Sequence, residues 1–281
     1  MNYILYNPLS SHGKSEQLVK KVEKLLVKKG EKSRAYSLIK ASKNIKGFAR
    51  KIKPNDKVII IGGDGTLHHF ANGIKDLENQ NEIYLYKGGT GNDFGREFPK
   101  EKLINVSKYV RNLPRYTLNN EEKEYVMVNG VGFGFDGAVC VSVNKNNGKK
   151  SGFAYIKSVL SLLKNYPRYS LDIEVDGEKH HFDKVLFSIV NNGKYFGGGM
   201  KIAPTSDRLD DQLEAYVVYK MPFIKILFVF PFLFLGKHMW FKKWGIKKYE
   251  GKSFKFTASA PQPFQSDGEV NEDITSFTVN R

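Results

Sequence analysis

The sequence predicts two domains, an α/β domain built on a parallel sheet and a β-rich, sandwich-like domain that follows it. In the first part, apolar runs at residues 3–7, 57–63 and 83–89 alternate with helix-period segments such as 15–29, the pattern of parallel strands joined by crossover helices. From about Tyr125 onward, strand-like segments are bounded by glycine, aspartate and asparagine, which is typical of antiparallel β-structure. This change in the residue pattern falls near 118–124, so we place the domain boundary after residue 122 and the domains at 1–122 and 123–281.

Charge and cysteine content narrow the classes of partner and compartment. The formal net charge of +16 over 281 residues indicates an anionic partner, either nucleotide, nucleic acid or acidic lipid. Cys140 is the only cysteine, which excludes an intramolecular disulfide and fits a reducing cytoplasm. The first residues carry no basic region and no apolar core of signal-peptide length. Basic charge alone would also suit a nucleic-acid-binding protein, but no RNP, KH or helix-turn-helix pattern accompanies it.

The most apolar stretch, residues 223–235, is interrupted by Lys225 and Pro231. It is shorter than the roughly 20 residues that a membrane-spanning helix requires. One interpretation is a buried helix. The other is a wall for a lipid tail or a membrane-contacting face, because aromatic and lysine residues alternate through the following segment, 238–248.

The clearest local motif is a glycine-rich loop after the strand at 57–63. It contains Gly62, Gly63, Asp64, Gly65 and Thr66, directly before a helical segment. Glycines let backbone N–H groups approach phosphate oxygens, and the start of the helix adds a favourable dipole. The alternative is a tight strand-to-helix turn capped by Asp64. Neither a Walker loop nor a dinucleotide fingerprint is present.

A second glycine cluster follows the next strand in the same way. It runs from Gly88 to Asp93 and includes Thr90 and Asn92. Because the carboxyl ends of neighbouring parallel strands meet at one edge of a sheet, the two loops should form one phosphate-binding crevice.

Together these motifs resemble the catalytic domain of the diacylglycerol kinases, which is similar to that of sphingosine kinases and more distantly to NAD kinases. The paired loops read GGDGT and GGTGNDFGR, and further motifs follow the family order at 7–14, 130–139, 197–218 and 265–270. The resemblance covers nearly the whole chain. It implies an NAD kinase/diacylglycerol kinase-like fold and an ATP- and Mg²⁺-dependent lipid kinase.

The resemblance also implies roles for particular residues. Glu269 or Asp267 would be the catalytic base, with Glu269 favoured, and Asp64 would act in catalysis. Asp136 would lie near the acceptor headgroup or its magnesium-bound water. The residues expected to contact ATP are Asn7, Ser37, Gly62, Gly63, Asp64, Gly65, Thr66, Thr90, Asn92 and Asp93.

A structural Mg²⁺ is expected on Asp211 and on the backbone carbonyls of Arg208 and Leu213. Three positions depart from the family pattern: Gln212 stands where the DDG motif has glycine, Ser11 replaces a glycine of the N-terminal loop, and His69 stands where many relatives carry a glutamate.

The predicted function is phosphorylation of the hydroxyl of diacylglycerol or a similar lipid by a cytoplasmic protein that works peripherally at the inner, anionic face of the cell membrane. Sphingoid bases, undecaprenol and phosphatidylglycerol are alternative acceptors. The runner-up is an NAD kinase-like or other small-molecule kinase, and a catalytically inactive lipid-binding relative is a further alternative. We expect no transmembrane segment and no nucleic-acid partner, and a homodimer is left open.

Overall fold

The computed structural model describes residues 1–8, 15–38, 45–78, 81–89, 91–145 and 152–281. These residues form two compact units, Met1–Leu113 and Pro114–Arg281.

The first unit is an α/β domain. Its sheet has the order β2-β1-β3-β4-β5, with β1 to β4 parallel and β5 antiparallel to β4. The parallel sheet predicted from the alternating apolar runs is therefore confirmed. The strands are β1 (Asn2–Tyr6), β2 (Ser33–Ser37), β3 (Lys57–Gly62), β4 (Glu82–Lys87) and β5 (Leu103–Asn105).

Helices connect these strands. The described ones are α1 (Ser15–Lys28), α2 (Ile45–Lys51), α3 (Asp64–Ile74), α4 (Asp93–Arg96) and α5 (Ser107–Arg111). On α1, Val19, Val22 and Leu26 are spaced three and four residues apart, so they share one face, which is buried against apolar side chains of β1 and β3. This packing holds the crossover helix on the sheet.

The second unit is built on an antiparallel sheet in the order β12-β11-β10-β8-β13-β14-β6-β7, with β9 pairing with both β10 and β13. The strands are β6 (Arg115–Leu118), β7 (Tyr125–Val126), β8 (Gly130–Gly134), β9 (Tyr169–Val175), β10 (Glu178–Asn191), β11 (Leu213–Tyr219), β12 (Ile246–Gly251), β13 (Ser253–Ser266) and β14 (Glu269–Asn280).

The long strands β10 and β13 each change partner along their length. Both pair with β9 along one part and with β8 along another, with shifts of register such as that between Val185 and Phe187. Such irregularities bend a strand and let it pass from one layer to another. Phenylalanine side chains from β8, β13 and β14 fill the space between, including Phe133, Phe264 and Phe277. The predicted sandwich-like domain is confirmed.

Helices flank this sheet: α6 (Phe135–Lys145), α7 (Gly152–Asn165), α8 (Phe223–Phe234) and a 3-10 helix (His238–Trp244). Within the described ranges, no helix has the length and apolarity needed to span a bilayer.

The two compact units divide after Leu113, whereas the sequence texture placed the boundary after residue 122. The difference arises at β6, which pairs with β14, so that Tyr116 lies opposite Val279. A strand that precedes the change of texture thus belongs to the second unit because of a pairing far along the chain.

Candidate active site

The parallel register brings the carboxyl ends of four strands of the first unit into one row. Tyr6 lies opposite both Ser37 and Ile61, and Ile61 lies opposite Tyr86. Asn7 follows β1 directly, and the two glycine loops follow β3 and β4. The predicted nucleotide contacts that the structure describes therefore lie along one edge of the sheet or in the loops that follow it.

The two glycine loops touch through their backbones. Gly88 donates its N–H to the carbonyl of Gly62 at 2.9 Å. A Cβ atom added to Gly63 would lie 2.8 Å from the Cα of Gly89, closer than side-chain carbons approach a backbone. Gly63 is therefore required by the contact between the loops. A residue with a side chain there would push them apart.

Asp64 joins the first loop to the second. Its carboxylate accepts the backbone N–H groups of Asp93 and Phe94, each at 2.9 Å, at the start of α4. Charge-assisted bonds of this kind are stronger than neutral ones. Asp64 thus caps a helix, but the helix is α4, 29 residues later, and not the α3 helix in which Asp64 itself lies.

Asn92 closes the second loop. It adopts a left-handed conformation (φ 51°) that asparagine tolerates better than most residues. Its side-chain amide accepts the N–H of Gly89 at 3.0 Å and donates to the carbonyl of the same glycine. Asp93, which follows, is buried, and its carboxylate lies 3.5 Å from the guanidinium of Arg96. Thr90 and residues 9–14, including Ser11, lie outside the described residues.

Gly65 differs from its neighbours. A Cβ atom added to Gly62 would overlap the buried Thr66 side chain, whereas a Cβ atom on Gly65 would meet no atom within 4 Å among the described residues. Gly65 lies in the first turn of α3, where N–H groups have no acceptor within the helix. A bare backbone facing open space at a helix start is suited to an anionic ligand such as a phosphate.

In the second unit, Asp267 lies in the hairpin turn between β13 and β14. Ser266 pairs with Glu269, and Asp267 and Gly268 between them have φ values of 50° and 94°, as in a type I′ turn. The Asp267 carboxylate accepts the N–H groups of Val128 and Asn129 at 2.7 Å. Asp267 therefore fastens the hairpin to the segment that leads into β8.

Glu269 is placed differently from Asp267. The sequence analysis could not separate the two, because it expected them at alternate positions of one strand, facing the same way. Instead, Asp267 lies in the turn with its oxygens on backbone amides, and Glu269 is the exposed first residue of β14. The two carboxylates of the DGE motif therefore differ in position, since Asp267 bonds backbone N–H groups inside the turn and Glu269 lies at the exposed start of β14.

Asp136 lies in the first turn of α6. One carboxylate oxygen accepts a hydrogen bond from the Gln265 amide at 3.2 Å, and the other is buried and has no hydrogen-bond partner within the described part of the chain. Burial raises the pKa of the Asp136 carboxyl to about 7. Near neutral pH this group can therefore donate a hydrogen bond to a ligand hydroxyl when it is protonated, or accept one from it when it is ionised.

Gln265 was not singled out from the sequence. It is 1% exposed, and its amide bonds both Asp136 and the N–H of Gly268. Its place two residues before Asp267 in the QSDGE motif was the only available signal. Gln265 therefore connects Asp136 to the hairpin turn in which Asp267 lies.

The expected structural Mg²⁺ site fits the residues poorly. Asp211 is ion-paired with Lys252, whose hydrogen bond lowers the pKa of the Asp211 carboxyl. The Arg208 carbonyl accepts a hydrogen bond from the Arg281 guanidinium at 2.7 Å. Leu213, the third expected ligand, begins β11 opposite Gly251. Two of the three expected ligands thus already carry a cationic partner.

Comparison with known proteins assigns both units. Residues 2–118 match the model of the diacylglycerol kinase catalytic domain, and residues 129–278 match that of the YegS C-terminal NAD kinase beta sandwich-like domain. The chain is 27% identical over 294 residues to a Bacillus subtilis (strain 168) protein named "Putative lipid kinase YtlR", covering 95% of this chain and 93% of that protein. It is 24% identical to a protein named "Diacylglycerol kinase" of Staphylococcus saprophyticus, covering 99% and 91% of the two chains.

A solved structure has the same fold. The crystal structure of a diacylglycerol kinase from Bacillus anthracis str. Sterne superimposes with a TM-score of 0.72 at 20% identity, covering all of this chain and 94% of the other.

Proposed function

The chain belongs to the diacylglycerol kinase family, and from that membership we propose that it is an ATP-dependent lipid kinase that transfers the γ-phosphoryl group to the hydroxyl of diacylglycerol or a similar lipid. The observation that supports this most is the pair of glycine loops that Asp64 fastens together, with Gly65 facing open space. With diacylglycerol as acceptor, the product would be phosphatidic acid.

In this proposal the loops and the start of α3 bind the phosphates of ATP through backbone N–H groups. Phosphoryl transfer is catalysed chiefly by positioning and by stabilisation of charge on the phosphate oxygens. Rigid loops serve both purposes, because their donors need not rearrange during the reaction. Mg²⁺ would enter with the nucleotide, since proteins usually bind it through substrate phosphates and one or two carboxylates, and it would supply charge neutralisation.

The acceptor is activated by the second unit. Glu269 takes the proton of the lipid hydroxyl, whose oxygen bonds to the γ-phosphorus as the bond to the bridging oxygen of ADP breaks. Asp136, with its pKa near 7, hydrogen-bonds the polar headgroup. In this proposal the protein acts peripherally at the anionic inner face of the cell membrane.

The test is transfer of labelled γ-phosphate from ATP, with Mg²⁺, to diacylglycerol, sphingosine, undecaprenol or phosphatidylglycerol in anionic mixed micelles. A parallel reaction contains NAD. We expect label in one lipid, with diacylglycerol first. Label only in NADP would overturn the proposal in favour of a small-molecule kinase. Absence of label from every acceptor, with ATP still bound, would overturn it in favour of an inactive relative.

A further inference from the structure

The α8 helix carries apolar side chains on the face that a surface helix normally gives to polar ones. Ile224 is 72% exposed, Phe228 55% and Leu235, just past the helix, 62%. Their spacing of four and seven residues places them on one stripe. Val229 is the one residue of the helix that is fully buried, and Lys225 is its only charged residue.

The opposite face of α8 anchors the helix to the second unit. Val229 and Leu233 line an apolar cavity together with Ile202, Tyr216 and His238. At the end of the helix, the carbonyl of Leu233 accepts the backbone N–H of Lys201 at 2.9 Å. The helix is therefore anchored on the second unit by its inner face, and the apolar stripe lies on its exposed face.

The 3-10 helix extends this surface with aromatic rings and cations. Trp240 is 68% exposed, and the ammonium of Lys237 lies 4.8 Å from the centre of its ring. Lys242 and Lys243 follow and are also exposed. Phe241 packs edge-on against the rings of Phe228 and Phe232, which joins the 3-10 helix to α8.

The segment that contains α8 and the 3-10 helix carries basic residues and no acidic ones. Residues 215–249 contain seven lysines and no aspartate or glutamate. Two of the seven are paired with carboxylates of neighbouring strands: Lys220 with Asp183, and Lys248 with Glu214 and Glu250. In an anionic bilayer, such an apolar stripe contacts the acyl chains, and the tryptophan and lysines that border it contact the phosphate layer above them.

We propose that α8 and the 3-10 helix form a membrane-docking surface, consisting of Ile224, Phe228, Leu235, Trp240, Lys242 and Lys243, that binds the face of an anionic lipid bilayer. The inference rests on the proposed function and specifies how the enzyme reaches its lipid. Other exposed large apolar residues in the described part of the chain, such as Leu25, Val27, Leu160 and Leu209, occur in other elements, and scattered residues of this kind are normal on protein surfaces.

The experiment is flotation of the full chain with vesicles of equal parts phosphatidylcholine and phosphatidylglycerol, compared with phosphatidylcholine alone. The apolar variant is Ile224→Ser/Leu235→Ser, and the charge variant is Lys242→Glu/Lys243→Glu. Both change exposed side chains, so thermal unfolding should be unaltered. The matched controls are Leu25→Ser/Val27→Ser and Lys24→Glu/Lys28→Glu, made at exposed positions of α1.

We expect the wild type to bind the anionic vesicles only, and the charge variant to bind them at least about 30-fold more weakly. The loss should shrink as salt is added, because salt screens exposed charges. The apolar variant should also lose binding, and the controls should bind as the wild type does. Equal loss in control and docking-surface variants would overturn the proposal.

Two further measurements test the docking surface separately from the proposed kinase activity. Phosphorylation of a short-chain diacylglycerol in free solution tests the kinase without a bilayer, and the docking variants should keep that activity. Vesicle binding without any lipid phosphorylation would overturn the kinase and leave the docking surface standing. Sedimentation equilibrium tests whether a second copy of the chain, and not a bilayer, covers this surface. If the wild type is a dimer and the docking variants are monomers that still bind vesicles, the surface is a dimer interface and the proposal is overturned.

Discussion

Asp64 in the first unit and Asp267 in the second both precede a glycine, and both carboxylates accept backbone N–H groups from a distant part of the chain. The partners of Asp64 lie 29 and 30 residues later, in the second glycine loop. Those of Asp267 lie up to 139 residues earlier, before β8. Asp64 opens a helix beside a bare glycine backbone, whereas Asp267 forms half of a two-residue hairpin turn.

The comparison separates carboxylates that order the backbone from the neighbouring residues that we propose to contact the substrates. A carboxylate whose oxygens are bonded to amides fixes the position of its neighbours. In the first unit the neighbour so placed is Gly65, and in the second it is Glu269. The following five predictions test this division.

The largest effect should come from Glu269→Gln. Removing a general base typically slows turnover by about 10² to 10⁴-fold. Because Glu269 is exposed, the free energy of unfolding and the affinity for ATP should stay unchanged. Steady-state lipid phosphorylation and calorimetric ATP binding measure the two. The control is Glu272→Gln, three residues further along β14, which should be fully active; an active Glu269→Gln variant would return the role of base to Asp267.

Asp136 should make stability depend on pH. Its pKa is about 7 in the folded protein and about 4 when unfolded, so between these values the folded state retains a proton that the unfolded state has lost. Stability should therefore fall as pH rises from about 4 to 7, by about 4 kcal/mol at most. Urea unfolding at several pH values measures this. Asp136→Asn should flatten the curve, and an unchanged slope would contradict the assignment.

Asp64→Asn and Asp267→Asn should each destabilise the fold, by about 2 kcal/mol, since the amide NH₂ would face a backbone N–H that now lacks its acceptor. Loss of activity in either variant is then not evidence of direct catalysis. Hydrogen exchange distinguishes them: Asp64→Asn should expose the amides of Asp93 and Phe94, and Asp267→Asn those of Val128 and Asn129. Exchange unaltered at these sites would rule out the backbone-ordering role.

Arg281→Ala should lower the free energy of unfolding by about 1.5 kcal/mol, because the guanidinium bonds the carbonyls of Arg208 and Asp210. Treatment of the wild type with EDTA should leave the midpoint of thermal unfolding unchanged. A fall on chelation that Mg²⁺ reverses would show that a metal, and not these side chains, orders this loop.

The smallest effect on folding should be that of Gly65→Ala. With open space around its Cβ, alanine should leave stability equal or raise it by up to about 1 kcal/mol, since alanine favours helix. ATP affinity should nevertheless fall about tenfold, as the methyl group would occupy the space of a phosphate. Gly63→Ala is the contrasting variant and should destabilise the protein. Unchanged ATP affinity in Gly65→Ala would remove the loop from the nucleotide site.

The fold classes could be predicted from the sequence because they depend on local periodicity. Alternating apolar and helical segments indicated the parallel sheet, and glycine-bounded strands indicated the sandwich. The role of Asp267 could not be predicted, since its amide partners are far away in the chain. The same holds for Arg281 on the Arg208 carbonyl and for β6, which moved the boundary between the units. Local motifs can be recognised in a sequence, whereas contacts between residues far apart in the chain are known only from the structure.

The pairing of β6 with β14 also constrains the order of folding during synthesis. All five strands of the first unit are complete once Asn105 has been made. The second unit cannot complete its sheet until much later in synthesis, because the Asn119 side chain accepts the N–H of Ser276, 157 residues later. Contacts over such separations form slowly. On the ribosome, the glycine-loop unit should therefore fold first, while β6 to β12 remain exposed until residues near 280 emerge.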